Sequence, residues 1–161
     1  MAFKDLQQFG FQYQLLFDKT GVVFGNYKGY PLCVEEHTNE RYYNLFSWIK
    51  PSENTPDLQQ LPAVLSSFAQ GEGKPFVRFC TVEGYRVTIQ IKMTRHNLEN
   101  LSRTAEFLLS TLAGQFYEGC CASCARTDGL GFYRINGTSA CLCEPCYQTA
   151  AANLSQNEQA V

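Results

Sequence analysis

The chain has 161 residues, of which 45% are hydrophobic, 14% aromatic and 17% charged, a composition that suits a globular fold and excludes a disordered or low-complexity chain. A net charge of −2 excludes a basic field that would draw in nucleic acid or acidic lipid. The longest apolar stretch, FLLSTLAGQF from Phe107 to Phe116, is broken by Ser110, Thr111 and Gln115, so no transmembrane span lies within these residues.

The N-terminal MAFKDLQQFGFQYQLLF has neither an unbroken apolar region nor a small-residue cleavage site and does not read as a signal peptide. The expected compartment is therefore the reducing cytoplasm, where clustered cysteines hold metal more often than they form disulfides.

Residues 13 to 50 read as four short strands. Tyr13, Leu15 and Phe17 alternate with polar Gln14 and Asp18, although Leu16 breaks the pattern, and Lys19-Thr20-Gly21 makes a turn. VVFGNY (22–27) and YPLCVEE (30–36) flank the hairpin break Lys28-Gly29, and RYYNLFSWIK (41–50) ends at Pro51. Such spacing suggests an antiparallel meander. Thr55-Pro56-Asp57 offers a helix cap, a first-turn proline and a first-turn acid, followed by the stripe Leu58, Leu61, Leu65, Phe68. Pro62 lies near enough to this start to be tolerated, or else delays the helix to about residue 61, and Gly71 and Gly73 end it.

Tyr85, Val87, Ile89, Ile91 and Met93 alternate strictly with Arg86, Thr88, Gln90, Lys92 and Thr94, which predicts a strand with one apolar and one wet face. Glu83-Gly84 turns it back on residues 76–82 as a hairpin. A long helix follows from Asn97, its expected cap, to about Phe116, with Leu98, Leu101, Ala105, Leu108 and Leu112 on one stripe.

The C-terminal quarter carries the chemistry. Cys121-Ala-Ser-Cys124 and Cys143-Glu-Pro-Cys146 are two C-x2-C pairs separated by 18 residues. Two thiolates three residues apart can grip one ion, and two such pairs complete a tetrahedron, so Cys121, Cys124, Cys143 and Cys146 are the expected ligands of a structural Zn2+. Between them, FYRINGTSACL reads as a hairpin about Asn136-Gly137, and the strongly helix-forming YQTAAANL follows Pro145. In this order of knuckle, hairpin and helix, residues 120–155 resemble treble-clef zinc modules, although Ala125 stands where a glycine often follows the second cysteine. So short a segment cannot bury a sufficient core, and metal binding would make it fold. Cys120 and Cys141 could substitute for Cys121 and Cys143 through longer grips, but their plainer reading, like that of Cys33 and Cys80, is as small buried residues.

These observations predict an α+β protein, with an antiparallel sheet carrying two amphipathic helices on one face (residues 1–118). A small treble-clef-like zinc module follows as a rigid appendage (residues 119–161). The order of meander, helix, hairpin and helix is similar to that of secretion-chaperone folds, a fold-level analogy. The expected role is non-catalytic, in protein interaction or assembly, with a protein partner or self-association.

Two alternatives remain. A nucleic-acid-binding zinc protein is disfavoured because residues 120–161 hold two arginines against three acids, and a zinc–tetrathiolate adds about −2. A thiol oxidoreductase using the Cys143-Glu-Pro-Cys146 dithiol lacks the downstream strands of a thioredoxin-like unit and leaves the other pair unexplained. The histidines, His37 and His96, have the plain reading of solvated turn or helix-start residues. The polar tail AAANLSQNEQAV has no stop signal, which leads to the expectation of a continuation past Val161, such as a membrane anchor.

Overall fold

The computed structural model describes residues 3–52, 61–114 and 117–159. Helix α1 (Lys4–Gln12) is followed by strands β1 (Leu16–Asp18), β2 (Val22–Tyr27), β3 (Tyr30–His37) and β4 (Tyr42–Pro51). Then come α2 (Leu61–Gln70), β5 (Val77–Glu83), β6 (Arg86–Lys92), α3 (Asn97–Gly114) and β7 (Tyr117–Gly119). The hairpin β8 (Leu130–Ile135) and β9 (Thr138–Cys143) leads into α4 (Glu144–Gln159).

The first seven strands form one antiparallel sheet in the order β1-β2-β3-β4-β6-β5, with β7 joined to the end of β4. The fold is α+β, as the sequence predicts. The two-residue turns have the expected chemistry: Asn136 and Gly137 connect β8 to β9 with φ values of 53° and 77°, the left-handed pair that a type I′ hairpin requires. Thr55-Pro56-Asp57 and Leu58 lie outside the described residues, and α2 starts at Leu61 with Pro62 second, where a missing N–H is tolerated. Asn97, expected as a cap, is the first residue of α3, and its Oδ1 accepts the Thr94 N–H at 2.7 Å.

Helix α1 was not expected. Its nine residues include three glutamines and a glycine, and only Leu6, Phe9 and Gly10 face inward. So sparse a stripe is hard to read as helix, and packing on α3 and β2 supplies what the local pattern lacks.

One face of the sheet meets the helices in the main core. Val23, Leu32, Val34, Leu45, Ile49, Val87, Ile89 and Ile91 point to it, against Leu6 and Phe9 of α1, Leu61, Leu65 and Phe68 of α2, and Leu101, Leu108 and Leu112 of α3. The opposite face is covered in its β2–β4 half by the C-terminal hairpin, where Val22, Cys33, Phe46 and Trp48 form a second core with Cys141. Phe132 of β8 lies 5.4 Å from Phe24 and edge-on to Trp48 at 6.2 Å. The module is therefore not an appendage standing clear of the body; it is the third layer. The β5–β6 half of that face is the wet one, though its own arginines shield it. Arg86 lies over Phe46 and Arg78 over Tyr42, and Thr88 is 7% exposed.

β7 positions this layer. It pairs Ile49 with Gly119 and Pro51 with Tyr117, and the Cys120 N–H continues the ladder to the Trp48 carbonyl at 3.0 Å. Gly119 packs so tightly there that an added Cβ would overlap Pro31 Cδ and stand 3.0 Å from the Gly29 carbonyl. Gly119→Ala is expected to destabilise the protein by about 1–3 kcal/mol, because neither the proline ring nor the backbone can step aside. Urea unfolding of the two proteins checks this.

Candidate metal centre

The centre is built from two elements that the sheet brings together. The first is the turn after β7. Here the Ala125 N–H reaches the Cys121 carbonyl at 3.0 Å, the Cys121 N–H reaches the Arg126 carbonyl at 2.8 Å, and the Ser123 N–H points at Cys121 Sγ at 3.4 Å. This loop closes with Ala125 at φ 65°, the left-handed conformation that the glycine usual at that place would adopt freely. The second element is the β9–α4 junction, with Cys143 the last residue of the strand and Cys146 in the first helical turn. The Ala122 N–H bonds the Cys141 carbonyl at 2.8 Å and ties the two together.

The result is that Sγ of Cys121, Cys124, Cys143 and Cys146 all lie within 4.8 Å of one another, with the Cys124 and Cys143 sulfurs 3.5 Å apart. Four sulfurs about 2.3 Å from a zinc ion stand about 3.8 Å from each other at the corners of a tetrahedron. The donor set and its spacing fit that ion.

The electrostatics favour an anionic cluster at one corner. Burial would push the Cys121 thiol up, but the backbone N–H groups of Cys124, Cys143 and Ser123 donate to its sulfur and bring it down to about 6. Cys146 is held up at about 12 by hydrogen bonds to the Cys143 and Cys124 sulfurs. N–H groups aimed at a thiolate and the positive end of α4 beside Cys146 are also what hold a metal-bound sulfur in place.

The remaining cysteines stand apart. Cys33, Cys120 and Cys141 are buried, and burial pushes each thiol up to about 12; Cys80, half-buried on β5, is raised to about 11 by the same cause. Cys120 and Cys141 are buried outside the four-sulfur group, and Cys141 packs between hairpin and sheet with Val22, Cys33, Phe46 and Trp48.

The sequence did not point to the polar clasp at this seam. Glu35 of β3 is 6% exposed, and its carboxylate accepts the Ser139 hydroxyl and, at 2.7 Å, Arg134 Nη1 from the hairpin. His37 lies 3.2 Å from the other carboxylate oxygen and stacks on Tyr42. A solvated-turn reading of His37 therefore misses its partner. The available signal was Glu35 itself, an acid on a strand face otherwise apolar at Cys33, but its cation is 99 residues away. His96 heads α3 and donates its N–H to the Thr94 hydroxyl at 3.0 Å.

No protein family and no curated protein matches this chain. Among solved structures, a chain in the "Structure of the HopA1-SchA Chaperone-Effector Complex" is similar at 17% identity, covering 68% of this chain and 88% of that one with a TM-score of 0.47.

The strained loop gives a direct check on the local geometry. Ala125→Gly is expected to stabilise the protein by about 1 kcal/mol, since a left-handed alanine costs about that much relative to glycine. Thermal unfolding of the metal-loaded protein, which should show a higher Tm in the variant, measures it.

Proposed function

We propose that the chain is a non-catalytic, cytoplasmic, zinc-stabilised module for protein interaction or assembly. Its C-terminal part, residues 119–161, is a treble-clef unit that holds Zn2+ through Cys121, Cys124, Cys143 and Cys146. The observation that carries this reading is the grouping of those four sulfurs within 4.8 Å, at the point where the knuckle meets the hairpin–helix junction. Among the described residues, the buried members of the unit's own cluster are Cys121, Leu142 and Cys143, too few to hold a hairpin and helix without a metal or a neighbour.

Exposed apolar groups support an interaction role. Phe11 of α1 is 87% exposed and Leu16 on the short edge strand β1 is 67% exposed, apolar surface available to a partner. A further groove lies between α2 and α3, beside the stacked rings of Phe68 and Phe107. A second copy or another protein is the partner class these surfaces suit. Among the described residues no helix is long and apolar enough to cross a membrane.

Elemental analysis of protein purified without added metal should find one zinc per chain. Cys124→Ser and Cys146→Ser should each lose it, together with the far-UV signal of α4. Because metal binds thiolate and acid supplies the competing proton, zinc should stay bound at neutral pH and be released as the pH falls. A metal-free preparation with four titratable thiols would instead return the Cys143–Cys146 dithiol to first place. Light scattering across a concentration series tests self-association.

A further inference from the structure

A cavity of about 120 Å³ opens at the seam between the sheet and the hairpin. Its apolar wall comes from both layers, Val22 and Phe24 of β2 on one side and Phe132 of β8 on the other. Two side chains of opposite charge also line it, Asp18 and Arg134. Asp18 is exposed and the Arg134 side chain is 40% exposed, so both stand at the mouth while Val22 lies deep.

Each charged group has bonding capacity left, and its position is fixed. Arg134 uses Nη1 for Glu35 and Ser139, and one Nη2 hydrogen for the Gly137 carbonyl at 3.0 Å. Nε–H and the second Nη2–H carry no hydrogen bond to the described residues, which leaves the guanidinium donors for a carboxylate. Asp18 is held from behind, its Oδ1 accepting the Thr20 N–H at 2.8 Å and the Thr20 hydroxyl at 2.7 Å. Its second oxygen is left over. The Thr20 hydrogen bonds, with Arg134 as a lesser influence, hold the Asp18 carboxyl below its ordinary range, so it is anionic at neutral pH.

A fixed cation and a fixed anion at the mouth of an apolar hole match one kind of small molecule. We propose that this cavity binds the free zwitterion of a small apolar α-amino acid, its carboxylate on the remaining donors of Arg134, its ammonium on Asp18 and its side chain against Val22, Phe24 and Phe132. Size sets the specificity. An apolar cavity of about 150 Å³ takes a benzene ring in another protein. The present volume therefore suits the side chain of leucine, isoleucine, valine or methionine, has phenylalanine at its limit and excludes the indole of tryptophan. A bound amino acid touches both layers and fastens the hairpin to the sheet.

The test is calorimetric titration of the purified full chain with L-leucine, glycine, L-tryptophan, L-leucine methyl ester and N-acetyl-L-leucine. Leucine should bind saturably at one per chain. The ester, which cannot pair with Arg134, and the N-acetyl compound, which cannot pair with Asp18, should each bind at least about tenfold more weakly, the loss of one charge-assisted contact. Glycine and tryptophan should give no saturable heat. Asp18→Asn should weaken leucine binding about tenfold and leave N-acetyl-leucine binding unchanged, with Trp48 emission unaltered as the sign of an intact seam. Absence of saturable binding by any of leucine, isoleucine, valine and methionine at about 10 mM, weaker than any useful affinity, overturns the proposal. So does equal affinity for leucine and its N-acetyl derivative. Metal content of the same sample bears on the metal centre alone; the titration decides the cavity whether or not zinc is found.

Discussion

Strands β3 and β4 carry apolar side chains on both faces, and such strands must be covered twice. Leu32, Val34, Leu45 and Ile49 face the helices, while Cys33, Phe46 and Trp48 face the other way. Each large side chain fully withdrawn from water contributes about 1.5–3 kcal/mol, so neither face can be left open cheaply. The three helices cover one. The cysteine hairpin covers the other, and most of the molecule's architecture follows from that need. β7 exists to deliver the chain from the end of α3 to the correct edge of β4, and the close approach at Gly119 sets how near the module can lie.

The module and the sheet depend on each other. With few buried residues of its own, the hairpin gains a core by laying Cys141 and Phe132 on the sheet face. A zinc ion at the four sulfurs would fix the other end of the same hairpin, because Cys143 closes β9 and Cys121 begins the knuckle bonded to it. The Glu35–Arg134–Ser139 clasp then sets the register between layers. A carboxylate buried this deeply is tolerable only with its cation in place, so the clasp selects one docking geometry more than it adds stability.

Much of this was legible in the sequence, for identifiable reasons. Strict alternation from Tyr85 to Met93, the α3 stripe and the Asn136-Gly137 turn are local signals, and local periodicity reports local structure. The two C-x2-C pairs were legible because metal geometry constrains spacing along the chain. Other features are set by contacts distant in sequence. YPLCVEE and NLFSWI read as ordinary strands, but their burial on both faces appears only once the hairpin is placed. Helix α1 has too thin a stripe to announce itself. Tyr117-Glu118-Gly119 looks like a linker, and it becomes a strand only because β4 runs on past its pairing with β3 and offers Ile49, Lys50 and Pro51.

The claim at the centre of this account is that the metal centre holds the hairpin against the sheet. The chain has a single tryptophan, Trp48, 1% exposed beneath that hairpin. Its emission, followed while a chelator strips zinc from the purified protein at neutral pH, reads the seam directly. A red shift that tracks zinc release, reversed when zinc is returned, is the predicted result. Complete zinc loss with no change in Trp48 emission would contradict it and show that the sheet alone retains the module.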